Sequence, residues 1–219
     1  TAGTDASIQI YRYQTKVMSA IRDGVRKKDK DIDLSCCQLT EIPTILHFAK
    51  YVTNLNLAHN AFSTISTELA ALTSLTSLSL SHNYLESLPN EFEALQNLIT
   101  LNLDHNKLRM IPLSIAAMPG LRRLNLADNQ ICFLFPFLSK LSLTALDVSG
   151  NPLEDPPMDV AKLGLAPILE YLKAKNAMVV TPVGRVKLML VGNENVGKTS
   201  LVLNLRHKAS LFSARPNIK

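Results

Sequence analysis

Tryptophan is absent from this 219-residue chain, and aromatic residues make up only 5% of it. Cysteine is also scarce: there are three, and Cys36 and Cys37 are sequence neighbours, so no cysteine-rich cap is visible. Thiols without an evident disulfide partner are typical of a reducing compartment, and we expect a cytoplasmic protein. No signal peptide and no apolar run of about 18 residues is visible, so we expect no membrane span.

Charge of one sign is not concentrated in any part of the chain. There are 23 Lys and Arg against 18 Asp and Glu, which gives a net charge of +5. The densest basic cluster, Arg26–Lys28 with Lys30, alternates with Asp29 and Asp31. We interpret it as a solvated face and expect no nucleic-acid partner. With 47% hydrophobic and 19% charged residues, the composition predicts a globular chain with a substantial core.

The chain is rich in a leucine-containing repeat of 22–23 residues. Each copy has an apolar pair separated by one residue, which predicts a short strand with one buried face. An Asn follows three residues later in most copies, and its amide can satisfy backbone groups where the chain turns inward. The six copies of this pattern are Ile32, Leu34 and Cys37; Leu55, Leu57 and Asn60; Leu78, Leu80 and Asn83; Leu101, Leu103 and Asn106; Leu124, Leu126 and Asn129; Leu146, Val148 and Asn151.

This pattern resembles the intracellular 23-residue class of leucine-rich repeat. The resemblance implies an α/β solenoid, a right-handed superhelix with a parallel sheet on its concave side. No single copy can bury its apolar face, so both ends require caps. We expect a capping helix at Lys16–Arg26 and a second at Asp159–Lys175, broken near Gly164 or Pro167. The predicted domains are 1–30, an N-terminal cap; 31–157, six repeats; 158–180, a C-terminal cap helix and linker; and 181–219, the start of a nucleotide-binding domain.

The concave sheet should display the residues between and beside the apolar pairs. These residues are small and polar without aromatic anchors, so no hot-spot cluster for binding is evident. The surface could accept a protein partner or another domain of the same protein, and both alternatives stay open. The candidate partner-binding residues are Asn56, Ser79, Asn102, Asp104, Arg122, Arg123, Asn125 and Asp147.

Two further clusters follow from the repeat period. His59, His82 and His105 share one column with Asp128, and because the period imposes this spacing we do not predict a metal site from it. Phe133, Phe135 and Phe137 cluster at the end of the fifth repeat, where Leu134-Phe135-Pro136-Phe137 replaces the usual Leu-Pro pair. We expect these three side chains to fill the core there, with an exposed docking patch as the alternative.

A phosphate-binding loop follows the repeats. Gly192-x4-Gly197-Lys198-Thr199 matches the pattern in full, and an apolar run, Val186–Val191, precedes it as a strand would. In such a loop backbone amides and the helix N-terminus hold the phosphates, Lys198 reaches the terminal phosphates, and the Thr199 hydroxyl binds Mg²⁺. The candidate nucleotide-binding residues are Gly192, Asn195, Val196, Gly197, Lys198, Thr199 and Ser200.

The segment from Arg185 to Leu201 resembles the opening of a Ras-like GTPase domain. Repeats placed before it resemble the Roco family, in which leucine-rich repeats precede a Ras-of-complex (Roc) GTPase domain. The resemblance implies a parent protein that binds GTP or GDP with Mg²⁺ and hydrolyses GTP slowly, and some family members also carry a kinase domain.

The rest of the GTPase pattern is missing from this chain. After Ser200 there is neither an Asp-x-x-Gly nor an Asn-Lys-x-Asp, so only the first strand, the loop and the first helix of such a domain are present. We expect that this fragment has no catalytic residue and binds no GTP or GDP tightly. Two alternatives stay open: a plain scaffold without a working nucleotide site, or an ATPase of the phosphate-loop class.

Overall fold

The computed structural model describes residues 26–43 and 49–177, together with Ser19 and Asp23. The chain divides into two units, Thr1–Met178 and Val179–Lys219, and the description below concerns the first. The predicted phosphate loop and the predicted strand before it therefore lie outside the described residues. The proposed division into domains stays a prediction.

Six three-residue strands follow one another in a single parallel sheet, in the order of the sequence. Equivalent repeat positions pair across neighbouring strands, as Leu55 does with Leu78 and Leu78 with Leu101. The middle residue of the first five strands is buried, whereas its two neighbours face outward. The predicted leucine-rich-repeat solenoid with a parallel sheet is thus confirmed. The strands are β1 (Asp31–Asp33), β2 (Asn54–Asn56), β3 (Ser77–Ser79), β4 (Thr100–Asn102), β5 (Arg123–Asn125) and β6 (Ala145–Asp147).

A ladder of buried asparagine side chains links each repeat to the one before it. In the fourth repeat, Asn106 Nδ2 donates to the backbone oxygen of Leu80 at 3.0 Å, and its Oδ1 accepts from the backbone nitrogen of Leu85 at 2.9 Å. Because these backbone groups turn into the interior, only the amide keeps them from being buried unpaired. The ladder consists of Asn60, Asn83, Asn106, Asn129 and Asn151.

The convex side is built from short 3₁₀ segments, each of which buries at least one large apolar residue. Phe92 is completely buried, and so are Ile115 and Leu138, while Leu69 is 1% exposed. Before the first segment, Ser66 Oγ accepts from the backbone nitrogen of Glu68 and so caps it. The segments are Thr67–Ala71, Asn90–Ala94, Leu113–Ala117 and Pro136–Lys140.

Two helices follow the last strand, α1 (Met158–Ala161) and α2 (Leu165–Ala177). The chain breaks between them at Gly164, whose φ of 96° suits glycine. Pro167 lies in the first turn of α2, where its missing N–H costs no hydrogen bond. Helix α2 contacts Pro136–Lys140 of the fifth repeat and strand β6, and it buries Ile168 and Leu172. Its role as the C-terminal cap stays a prediction.

Most of the predicted N-terminal capping helix lies outside the described residues. Ser19, Asp23, Arg26 and Lys27 are helical positions, and the cap itself stays a prediction. None of the described helices combines the length and the hydropathy needed to cross a membrane.

Candidate functional site

The outward side chains at the ends of the strands form one continuous column. Strand pairing places Asp33, Asn56, Ser79, Asn102, Asn125 and Asp147 side by side, at about 4.8 Å per strand. In five of the six, the side-chain Oδ1 accepts from the backbone nitrogen two residues later. Asn56 Oδ1, for example, accepts from Ala58 at 3.1 Å. The other four are Asp33, Asn102, Asn125 and Asp147.

This repeated hydrogen bond fixes the orientation of the polar column. With Oδ1 held by the backbone, the Nδ2 groups of Asn56, Asn102 and Asn125 are left for other partners. Ser79 instead shares a hydrogen bond with Ser81, with the hydroxyl oxygens 3.3 Å apart. The predicted concave residues Asn56, Ser79, Asn102, Asn125 and Asp147 are therefore brought together on one surface.

Only one of the two predicted arginines shares that surface. Arg123 is the first residue of β5 and is exposed. The guanidinium of Arg122 instead donates to the backbone oxygens of Pro119 and Leu121, at 3.0 and 3.1 Å. Arg122 thus holds the preceding turn, whereas Arg123 is the only cation in the six described strands.

Asp104 lies beside the polar column, and one of its oxygens is buried. Its Oδ1 has no hydrogen-bond partner among the described residues. The backbone oxygen of Asp104 accepts from the backbone nitrogen of His82 at 2.9 Å, which places the two residues side by side. Asp104, which directly precedes His105 in the chain, therefore lies beside both His82 and His105.

The residue before each ladder position adopts a left-handed backbone conformation. Values of φ run from 50° to 55° at Cys36, His59, His82, His105 and Asp128. In the last repeat this place is taken by Gly150, with φ 69°, and a Cβ there would clash with the Asp128 carboxylate. The shared conformation makes the side chains of this column project in the same direction.

The three imidazoles of that column stack on one another. Ring centroids are 4.1 Å apart between His59 and His82, and again between His82 and His105. His105 Nε2 lies 3.4 Å from Asp128 Oδ2. Partial desolvation, with the imidazoles of His105 and His59, lowers the pKa of His82, although Asp104 and Asp128 act in the opposite direction. The neutral imidazole, which has a free lone pair, is thus favoured at position 82.

The phenylalanine cluster divides into buried and exposed members. Phe135 and Phe137 pack against the core with their ring centroids 6.0 Å apart, as expected. Phe133 is 50% exposed, so the expectation that all three fill the core is wrong for this residue. Its backbone pairs with Asp155 beyond the sheet, which holds Phe133 at the surface.

The predicted nucleotide-binding residues all lie outside the described part of the chain. They are Gly192, Asn195, Val196, Gly197, Lys198, Thr199 and Ser200. Binding of GTP or GDP by these residues, and of Mg²⁺ by Thr199, stays a prediction.

Comparison with known families accounts for the repeated segment. A model described as "Leucine rich repeat" matches residues 30–85 and 73–131, and a second, described as "Leucine Rich repeat", matches 139–156. These residues are leucine-rich repeats. As leucine-rich repeats they form a protein-interaction module.

Three relatives share the leucine-rich repeats. The "Probable serine/threonine-protein kinase pats1" of Dictyostelium discoideum is 40% identical over 93 residues, which is 41% of this chain and 3% of that protein. The chain therefore spans only a small part of this relative. The BIR2 ectodomain from Arabidopsis thaliana is 32% identical with a TM-score of 0.49, and the match covers 57% of this chain and 69% of that one. In the TLR13–ssRNA13 complex, the matching chain is 33% identical with a TM-score of 0.48, over 53% of this chain and 17% of that one.

Proposed function

We propose that the leucine-rich repeats bind a protein surface through their concave polar column, within a cytoplasmic, Roco-type GTP-binding signalling protein. The bound surface belongs to another protein or to another domain of the same protein. The observation that supports concave binding is the hydrogen bond that fixes the Asn and Asp side chains of the column.

Fixed polar side chains lower the entropic cost of association. A free Asn loses rotamer freedom when it binds, whereas Asn56, Asn102 and Asn125 are already held by the backbone. Their Nδ2 groups are hydrogen-bond donors, Asp33 and Asp147 at the two ends of the column are acceptors, and Arg123 adds a positive charge. We therefore propose a polar partner surface that is bound by many hydrogen bonds rather than by one aromatic anchor.

Charge substitutions on the two faces of the solenoid test the concave site. Asn102→Lys with Asn125→Lys is expected to reduce partner recovery at least about tenfold, because both lysines remove fixed amides and add bulk to the column. Ala94→Lys with Ala116→Lys adds the same charge at exposed convex positions and should leave recovery unchanged. The measurement is quantitative affinity purification with each form as bait, and equal losses from both double variants would place the binding site elsewhere.

A second experiment tests the GTP-binding context, which the sequence of the phosphate loop supports. In the intact protein, Lys198→Ala is expected to weaken GTP and GDP binding at least about tenfold, because it removes the positive charge that contacts the terminal phosphates. Thr199→Ala should weaken the Mg²⁺ dependence of binding. Titration with a fluorescent guanine nucleotide measures both effects.

Lys208→Ala is the matched control, because it removes the same charge ten residues further along the chain. This variant should bind guanine nucleotides like the parent. Equal competition by ATP would favour the ATPase alternative. The 219-residue chain alone should show no micromolar GTP binding, and finding such binding would contradict the expectation that the missing motifs are required.

A further inference from the structure

One group of potential metal ligands stands out where two columns of the solenoid meet. His82, Asp104 and His105 each offer one ligand atom, and these atoms all lie within 4.8 Å of one another. His82 and His105 belong to the stacked histidine column. Asp104 belongs to the adjacent column, whose equivalent residues in the two preceding repeats are Ala58 and Ser81. The sequence period brings the histidines together, and Asp104 directly precedes His105 in the chain.

The Asp104 carboxylate lacks the partner that a buried oxygen requires. Its Oδ1 is inaccessible to water and accepts no hydrogen bond from the described residues. An unpartnered, desolvated carboxylate oxygen is costly, and a cation beside it would remove that cost. The two adjacent imidazoles are exposed, so they can turn toward such a cation.

We propose that His82, Asp104 and His105 bind a Zn²⁺ ion, with water completing its coordination. Two imidazole nitrogens and one carboxylate oxygen form a ligand set that suits this ion. Bonds of about 2.0–2.2 Å would bring the ligand atoms to about 3.4 Å from one another. Rotation of the exposed His82 and His105 side chains about χ1 and χ2 supplies this closure.

Asp128 supports the site from outside the ligand set. Its Oδ2 lies 3.4 Å from His105 Nε2. A carboxylate next to a metal-binding histidine orients the ring and increases its basicity. The fixed left-handed backbone at Asp128, with Gly150 leaving room for its carboxylate, keeps this group beside His105.

The pair His59 and His82, in the same histidine stack, provides an internal control. His59 and His82 have the same ring separation as His82 and His105. The column beside them, however, contains Ala58 and Ser81 instead of a carboxylate. Stacking alone is therefore present in both pairs, whereas the third ligand is present in only one.

Zn²⁺ titration of the 219-residue protein tests the proposal. We expect calorimetry at pH 7.5 to show one ion bound in the low-micromolar range, and Asp104→Asn or His105→Asn to weaken binding at least about tenfold. His59→Asn should bind like the parent. Asn tolerates the left-handed backbone at both histidine positions, so the histidine variants should keep the fold.

Imidazole NMR signals identify the bound residues directly. They distinguish Zn²⁺ binding by the histidines from Zn²⁺ binding by the cysteine thiols. The signals of His82 and His105 should shift on saturation with one equivalent of Zn²⁺, while those of His59 should not. The proposal is overturned if no binding tighter than millimolar is seen, if Asp104→Asn binds like the parent, or if His59→Asn loses as much affinity as His105→Asn.

Discussion

Replacement of Asn106 by Ala is expected to lower the free energy of unfolding by about 3 kcal/mol, because it leaves several buried backbone groups unpaired. Asn106 Nδ2 donates to the oxygens of Leu80, Leu103 and Asp104 at 3.0–3.1 Å. Its Oδ1 accepts from the Leu85 nitrogen at 2.9 Å. Water cannot replace the amide without entering the space between repeats. Urea unfolding followed by circular dichroism measures the change.

Gln130→Ala is the matched control for this loss of an amide. Gln130 is exposed and directly follows the ladder residue Asn129, and it contacts the preceding repeat through its backbone nitrogen, which donates to the Leu108 oxygen at 2.8 Å. Its replacement should change the free energy of unfolding by less than about 0.5 kcal/mol. If Asn106→Ala were equally mild, the asparagine ladder would not be a source of stability.

Strict repetition explains why the strands and the ladder could be predicted from sequence. The offset between copies fixes which residues share a column, so Leu55, Leu78 and Leu101 had to face the core together. The same offset placed the ladder asparagines and the histidines in register. In a solenoid these contacts are all between nearest neighbours, and the period describes them completely.

Contacts between columns were not predictable in this way. Asp104 directly precedes His105, but the approach of its carboxylate to the imidazoles of His82 and His105 depends on the backbone turn after β4 and on side-chain rotamers, which the period does not specify. Arg122 and Arg123 are adjacent in sequence, yet one binds the preceding turn and the other faces outward. The two side chains differ in orientation because the carbonyl groups of that turn accept hydrogen bonds from Arg122.

The position of the break between helices α1 and α2 was also not predictable from the sequence alone. Both Gly164 and Pro167 are able to end a helix, and the sequence alone could not choose between them. Proline is tolerated in a first helical turn, so a new helix could begin before Pro167 once the chain had turned at Gly164. The helix that results buries Ile168 and Leu172 and contacts Pro136–Lys140 and β6.

The largest loss of stability is expected for Phe92→Ala, at about 4 kcal/mol. Phe92 is completely buried within Asn90–Ala94, a segment that packs against both Thr67–Ala71 and Leu113–Ala117. Truncation removes apolar burial and leaves a cavity on the convex side between three consecutive repeats. Because each repeat contacts only its neighbours, this cavity also weakens the coupling between the two halves of the array.

Phe133→Ala removes the same side chain from a position that is 50% exposed, so it should cost less than about 0.5 kcal/mol. Phe92→Leu, which keeps most of the volume, should cost less than about 1.5 kcal/mol. Weakened coupling predicts a further result for Phe92→Ala: a broader urea transition with a lower m-value, because the halves no longer unfold together. Hydrogen exchange should then differ between amides of β2 and β5. A sharp transition with an unchanged m-value would show that the cavity lowers stability without dividing the solenoid.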